Sequence, residues 1–263
     1  MLVLLSPAKN LNFDPVPPGV VATKPEFLKE ARDLAAIARA LSPARLGKLM
    51  DISPKLAELN HERFQSFRGD GKSNAQKPAA LAFNGDVYLG LDAKTMKAED
   101  FAFAQGRLRI LSGLYGLLRP LDAIEPYRLE MCSDLKNPHG KNLYDFWGDK
   151  LAKAINKVVA EQDDGTIVNL ASNEYFSAAA ADALKFPVFT ASFKEEKDGK
   201  QRSLQFFAKR ARGLMARWAI DKRATRAEDL KEFSIDGYKF RPKDSSERNW
   251  LFARPQPPLK ASP

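Results

Sequence analysis

Six polar residues stand at the ends of short apolar runs, the places from which a side chain most readily meets a ligand. Lys9 closes the stretch Ser6-Pro7-Ala8-Lys9 after the apolar residues 1–5, and Asp86 and Tyr88 follow the run 79–83. Arg128 and Glu130 belong to the segment LSGLYGLLRPLDAIEPYRLEM (111–131), and Glu174 to VNLASNEYF (168–176). A lysine beside glutamates could move protons if burial shifted their pKa values. Loops that follow strands are also where α/β folds hold ligands. Asp86 and Tyr88 alternate along an extended stretch and so face one side, and Arg128 and Glu130 do the same. A pocket built from these six would suit an enzyme acting on a nucleic-acid base or a small phosphorylated substrate. Each residue also has a plainer role. Lys9 can be a surface lysine, Asp86 and Tyr88 can close a turn after Gly85, and Arg128 and Glu130 can form an ion pair. Asn169, Ser172, Glu174 and Tyr175 can cap a following helix.

Familiar catalytic signatures are absent: there is no G-x-S-x-G, no phosphate-binding P-loop and no dinucleotide fingerprint. His61 and His139 are the only histidines, and neither is spaced with a set of metal ligands. Cys132 is the only cysteine, so no internal disulfide can form, and it reads as a small core residue rather than a nucleophile. An iron–sulfur cluster needs about four thiolates and is excluded. The residues therefore favour a binding protein over an enzyme, with no metal and no cofactor expected.

The cations are not spread evenly. The chain carries 42 Lys and Arg against 33 Asp and Glu, a surplus of +9. Residues 200–226 hold nine basic residues and one acid, Asp221, which is nearly the whole surplus. Such a patch is the electrostatic footprint of a protein that meets phosphates, although a solvated helix face would look similar. Phe207, Ala211, Leu214 and Trp218 recur at helical spacing. At 100° per residue, Arg210 and Arg217 share one flank while Lys209 and Arg212 share the opposite face.

A second phosphate-binding candidate is residues 46–64, LGKLMDISPKLAELNHERF, two short helices broken at Asp51-Ile52-Ser53-Pro54. Ser53 suits an N-cap and Pro54 a first helical turn. The segment resembles the helix-hairpin-helix of DNA-repair proteins at Leu49, Ile52 and Ala57, with Asp51 and Ser53 where two glycines usually stand. Backbone amides at such a turn can hold a phosphate without reading base sequence. Ser53 and Lys55 could add a hydroxyl and a charge, and Asp51 opposes them. An ordinary αα-hairpin is the alternative.

The elements that must position these groups follow from patterning. Strands are predicted at 1–5, 79–83, 166–170, 187–193 and 203–207, and helices at 25–41, 44–50, 54–67, 104–118, 144–162, 177–185 and 207–222. Their alternation gives a mixed α/β or α+β class. Arg119, before Pro120, is expected to project from a helix end. Residues 68–78 read as a flexible connection, and the Pro-rich 254–263 as a tail that packs as neither helix nor strand. Apolar content of 44% over 263 residues is enough for one large core, and 1–253 are expected to form a single domain. No apolar run approaches the ~20 residues of a membrane span. With no signal peptide expected and one cysteine, the expected location is the cytoplasm.

The four polar stretches, together with KRARGLMAR (209–217), closely resemble the YaaA family of bacterial peroxide-stress proteins, in family order and over nearly the whole chain. Asn10 departs from the family's usual Thr or Ser after SPAK. The resemblance implies a single unit of unusual topology with a basic cleft and a helix-hairpin-helix. It also implies binding of duplex and branched DNA, and a role in hydrogen-peroxide stress associated with lower free intracellular iron. On this reading Ser53, Lys55, Lys209, Arg210, Arg212 and Arg217 contact the DNA backbone.

Overall fold

Unbroken apolar runs make the centre of the molecule. In a computed structural model describing residues 1–70 and 75–258, the strand LVLL at Leu2–Leu5 is buried on both faces, as are LRILS at Leu108–Ser112 and IVNL at Ile167–Leu170. Continuous burial, rather than alternation, marks parallel strands covered by helices on both sides. In chain order the elements are β1 (Leu2–Leu5), β2 (Asn10–Leu11), α1 (Leu28–Arg39), α2 (Pro43–Met50), α3 (Pro54–Ser66), β3 (Lys77–Pro78), α4 (Ala79–Ala82), β4 (Phe83–Asn84), α5 (Asp86–Leu91), α6 (Ala98–Arg107) and β5 (Leu108–Ser112). There follow β6 (Gly116–Leu118), β7 (Ala123–Ile124), α7 (Leu143–Trp147), α8 (Lys150–Ala160), β8 (Ile167–Leu170), α9 (Asn173–Ser177), β9 (Val188–Lys197), β10 (Lys200–Arg202), α10 (Gln205–Asp221), β11 (Lys239–Phe240) and β12 (Asn249–Pro255).

The main sheet has the order β11-β12-β9-β8-β1-β5-β6, with β10 hairpinned onto β9. From β12 through β5 the pairings are parallel, while β11 and β6 close the two edges antiparallel. Leu5 pairs with Leu170 of β8 on one side and with Ile110 of β5 on the other. After β1 the chain returns to the sheet at β5, on one flank. After β8 it returns at β9, on the other flank. The connections therefore diverge at the carboxyl ends of β1 and β8, leaving a crevice of the kind in which open α/β sheets hold ligands.

The helix α10 crosses α5 with almost no space between backbones. A Cβ on Gly213 would lie 1.8 Å from the Val87 carbonyl oxygen, and one on Gly90 would lie 2.2 Å from that of Arg210. Two glycines thus let α10 approach the element that begins at Asp86. Among the described residues, no helix is long and apolar enough to cross a membrane.

Several elements differ from the patterning. Residues 79–82 form α4 rather than a strand, as AALA favours helix and packs as one buried turn. The helix expected over 104–118 ends at Arg107, and the apolar run after it becomes β5 and β6 because it pairs beside β1. A short apolar run reads equally well as buried helix or buried strand, and pairing decides. Residues 203–207 are not a strand, since α10 begins at Gln205, and 177–185 hold only the end of α9 and a 3₁₀ turn at Ala181–Ala183.

Asp86 and Tyr88 are on the short helix α5, not on an extended stretch. Arg119 follows β6 instead of ending a helix, and pairs with the buried Asp122 at 2.8 Å. The Pro-rich tail also begins later than expected. Arg254 and Pro255 continue β12, paired with Glu195 and Glu196, because the Arg254 guanidinium enters the interior over Phe207 and Tyr238. Within the expected connection 68–78, the amides of Arg68 and Gly69 donate to Glu125, and Lys77–Pro78 pair as β3 with β7. Residues 71–74 and 259–263 lie outside the described residues.

Candidate functional site

The loops after β1 and β8 are fastened to each other before any polar side chain is placed. The Ser172 N–H donates to Ser6 Oγ at 2.8 Å, and the Ser6 hydroxyl donates to Ser172 Oγ at 3.3 Å. Ser172 therefore holds the N-cap backbone position of α9 while its hydroxyl turns to Ser6 rather than capping. The Tyr88 hydroxyl, on α5, donates to the Ser6 carbonyl at 3.0 Å. Burial pushes the Tyr88 phenol well above its ordinary pKa, so it stays protonated and acts as a fixed strut.

Around this frame opens a cavity of about 660 Å³. Lys9 enters it from the loop after β1, Glu174 from the first turn of α9, Asp86 from the first turn of α5, and Lys209 and Arg212 from the first half of α10. Pro7, Ala8, Val87, Ala208 and Tyr175 supply its apolar wall. Behind Lys9 lies Glu130, 7% exposed. Its Oε1 takes Lys9 Nζ at 3.4 Å and the Arg128 guanidinium at 2.9 Å, whereas its Oε2 is buried with no partner among the described residues. The ion pair expected between Arg128 and Glu130 is thus present, and it also orients Lys9.

Among the cations that line the cavity, Arg212 stands apart. Its Nε is buried without an acceptor among the described residues, and desolvation lowers its pKa. A half-buried guanidinium that lines a cavity and keeps one donor unused favours an anion beside it. Arg63 of α3 is also lowered, first by burial and then by the charge of Arg128, which puts α3 within electrostatic reach of the Arg128–Glu130 pair.

Of the six strand-end residues, Lys9, Asp86 and Glu174 line the cavity, Glu130 and Arg128 stand behind Lys9, and Tyr88 braces the Ser6 loop. Of the backbone-binding candidates, only Lys209 and Arg212 reach the cavity. Arg210 is exposed on α10. Arg217 departs from the expected phosphate row. Its guanidinium donates to the Asp92 carbonyl at 2.9 Å and to Thr95 Oγ1 at 2.7 Å, and it pairs with Asp221 at 2.8 Å, which ties α10 to the end of α5.

Ser53 caps α3 as expected, accepting the Leu56 N–H at 3.4 Å, and Asp51 takes the left-handed conformation that ends α2. Ser53, Lys55 and Asp51 are exposed and do not line the cavity.

The remaining reactive types have structural settings. His61 Nδ1 bonds the Leu41 carbonyl at 3.0 Å, and His139 packs edge-on against Phe146. Cys132 is exposed, not a core residue. Partial desolvation, together with the nearby Glu174, raises its thiol pKa, the wrong direction for a nucleophile. Asn84, Asn173 and Gln205 also line the cavity and were missed; all three sit beside residues that the polar stretches or the basic segment had already marked.

Comparison with known proteins bears on the whole chain. A family model described as "Peroxide stress protein YaaA" matches residues 1–244. The UPF0246 protein of Maricaulis maris is 54% identical over 257 residues, covering 98% of this chain and 97% of its own length. That of Phenylobacterium zucineum is 52% identical over 262 residues, covering 100% of this chain and 98% of the relative. The UPF0246 protein of Caulobacter vibrioides is 51% identical over 257 residues, with 98% and 100% covered.

Proposed function

Because this chain belongs to the YaaA peroxide-stress family, we propose that it binds DNA without sequence preference and limits damage to it during hydrogen-peroxide stress in the cytoplasm. The observation that carries this reading is the state of the cations on α10. Lys209, Arg210 and Arg212 lie within about one turn of α10 with no carboxylate partner among the described residues, so their charge is available to phosphates. The hairpin of α2 and α3 is a second contact. Ser53 Oγ takes the Leu56 N–H, Pro54 has no N–H, and the exposed Lys55 offers both an amide at a helix N-terminus and a charge. Contacts of this kind position a protein on duplex or branched DNA and carry no sequence information. The lowering of free iron that the resemblance implies is, on this reading, indirect. Among the described residues, no group of three or more His, Cys, Asp or Glu side chains is arranged to hold a metal.

The test is fluorescence anisotropy with a labelled duplex and a labelled four-way junction across a salt series. Lys55, Lys209 and Arg210 together give a log–log slope of about −3, from roughly −0.9 per phosphate. The double substitution Lys209→Gln with Arg210→Gln lowers its magnitude by about 2. Asp51→Asn, which keeps a residue tolerant of the left-handed turn, tightens binding at low salt. A slope near zero, or a double variant that binds like wild type, overturns the reading.

A further inference from the structure

Contacts to a DNA backbone do not call for a walled cavity. This one lies at the carboxyl ends of β1 and β8, where the chain's connections diverge, and its volume of about 660 Å³ is that of a small-molecule site. Its charges are sorted by element. Cations come from Lys9, Lys209 and Arg212, and carboxylates from Asp86 and Glu174.

Two buried atoms at or beside the cavity are left unused, Arg212 Nε and Glu130 Oε2. A buried donor without an acceptor costs about 1–3 kcal/mol, more when charged, so Arg212 is set up for an anion that protein groups do not supply. Three cations facing one region suit a phosphate better than a carboxylate, since a phosphomonoester carries about −1.5 to −2 and offers three acceptor oxygens. The two carboxylates require the rest of the ligand to present hydrogen-bond donors, and Pro7, Ala8 and Val87 require part of it to be apolar.

We infer that the cavity is a binding site for a single nucleotide, with its phosphate on Arg212 and Lys209, its hydroxyl or amino donors on Asp86 and Glu174, and its base against the apolar wall. Lys9 reaches the same space with its Nζ 3.4 Å from Glu130. The nucleotide is either a free nucleoside 5′-monophosphate or one unit of a strand. The shared chemistry is a phosphate joined to a donor-bearing ring. The site shares Lys209 with duplex binding, whose other contacts at Lys55 and Arg210 lie outside the cavity, so Arg212, Lys9 and Glu174 test it separately.

Calorimetric titration decides it, using each of the four deoxynucleoside 5′-monophosphates, the corresponding nucleosides, inorganic phosphate and a short single-stranded oligonucleotide. At least one monophosphate is expected to bind tenfold or more tightly than both its nucleoside and inorganic phosphate. Arg212→Met should weaken it at least tenfold, and Glu174→Gln should weaken the nucleotide without weakening inorganic phosphate. Lys9→Gln, at an exposed position, provides the same test if Arg212→Met does not fold. If only the oligonucleotide binds and does so through Arg212, the nucleotide comes from a strand and the inference holds. Nucleosides or inorganic phosphate binding as well as monophosphates would overturn it. So would oligonucleotide binding indifferent to Arg212 and Lys9 with no monophosphate bound. Duplex affinity measured in parallel on the same variants separates this outcome from failure of the DNA-binding reading.

Discussion

Replacing Gly213 with alanine isolates the contact that brings Arg212 and Asp86 to one cavity. The new Cβ would sit 1.8 Å from the Val87 carbonyl oxygen and 2.8 Å from the Leu91 nitrogen, where real Cβ atoms stay beyond 3.0 Å. Both clashing groups are backbone, so no rotamer change relieves them, and α10 must draw away from α5 by about 1 Å. Overpacking of this kind costs about 3 kcal/mol at the upper end of its usual range. Against it stands a helix-propensity gain of about 1 kcal/mol for alanine over glycine. The clash wins by about 2 kcal/mol, a fall in Tm of roughly 4–8 °C for a chain of this size. Gly106, in the last turns of α6, is the control, as a Cβ there meets nothing within 4 Å. Gly106→Ala keeps only the propensity term and should raise Tm by a few degrees. Thermal unfolding followed by circular dichroism reads both. Propensity alone gives the two substitutions the same sign, whereas the geometry gives them opposite signs. A Gly213→Ala protein at least as stable as wild type would refute the close crossing of α5 and α10.

Two further outcomes follow from groups away from the cavity. Arg254 lies in the interior with its Nε 3.6 Å from Glu195, which is fully buried, and its NH1 3.0 Å from Asp236. Arg254→Met should cost about 3–5 kcal/mol in urea unfolding, because it strands a buried carboxylate, and adding Glu195→Gln should recover part of that loss. Asp100 accepts the Lys97 N–H at 2.9 Å and pairs with Arg223 at 2.7 Å, and the backbone hydrogen bond foremost holds its carboxyl below the ordinary 3.8. A depressed folded pKa means stabilisation present above the unfolded value and lost as pH falls through the folded one. Asp100→Ala should therefore lower Tm modestly near neutrality, and the difference from wild type should close below about pH 4.

The central strands β1 and β8 were legible because a short, unbroken apolar run between polar loops has few other fates. The strand β5 was not, since Leu108-Arg109-Ile110-Leu111 fits one turn of buried helix as well as a buried strand, and only pairing with Val3 and Leu5 chooses. Helix rotation correctly separated Lys209 and Arg212 from Arg217. Nothing local could say which face meets a cavity, because Arg217's partners other than Asp221 lie 122 to 126 positions away. The same distance problem hid β12 and the buried role of Arg254. The polar strand-end stretches supply Lys9, Asp86 and Glu174 of the cavity, whereas Tyr88 and Arg128 brace Ser6 and Glu130, contacts that no local pattern distinguishes from ligand contacts.

That partition changes what the charge surplus means. Of the nine basic residues in 200–226, Arg217, Arg223 and Arg226 hold carboxylates. A protein that only tracked a DNA backbone would gain by leaving those three free and would have no use for Asp86, Glu174 and Glu130 beside the cations that remain, since carboxylates repel phosphate. Their presence on the cavity side of α10 is economical only if something with donors as well as a phosphate enters there. On the same helix Arg210 is exposed outside the cavity lining with no carboxylate partner among the described residues, which suits a sugar–phosphate backbone passing over the surface. One helix can thus serve a backbone on its exposed flank and a single nucleotide on its inner one. Substitutions at Arg210 and at Arg212 should separate the two, the first moving the salt dependence of duplex binding and the second moving mononucleotide affinity.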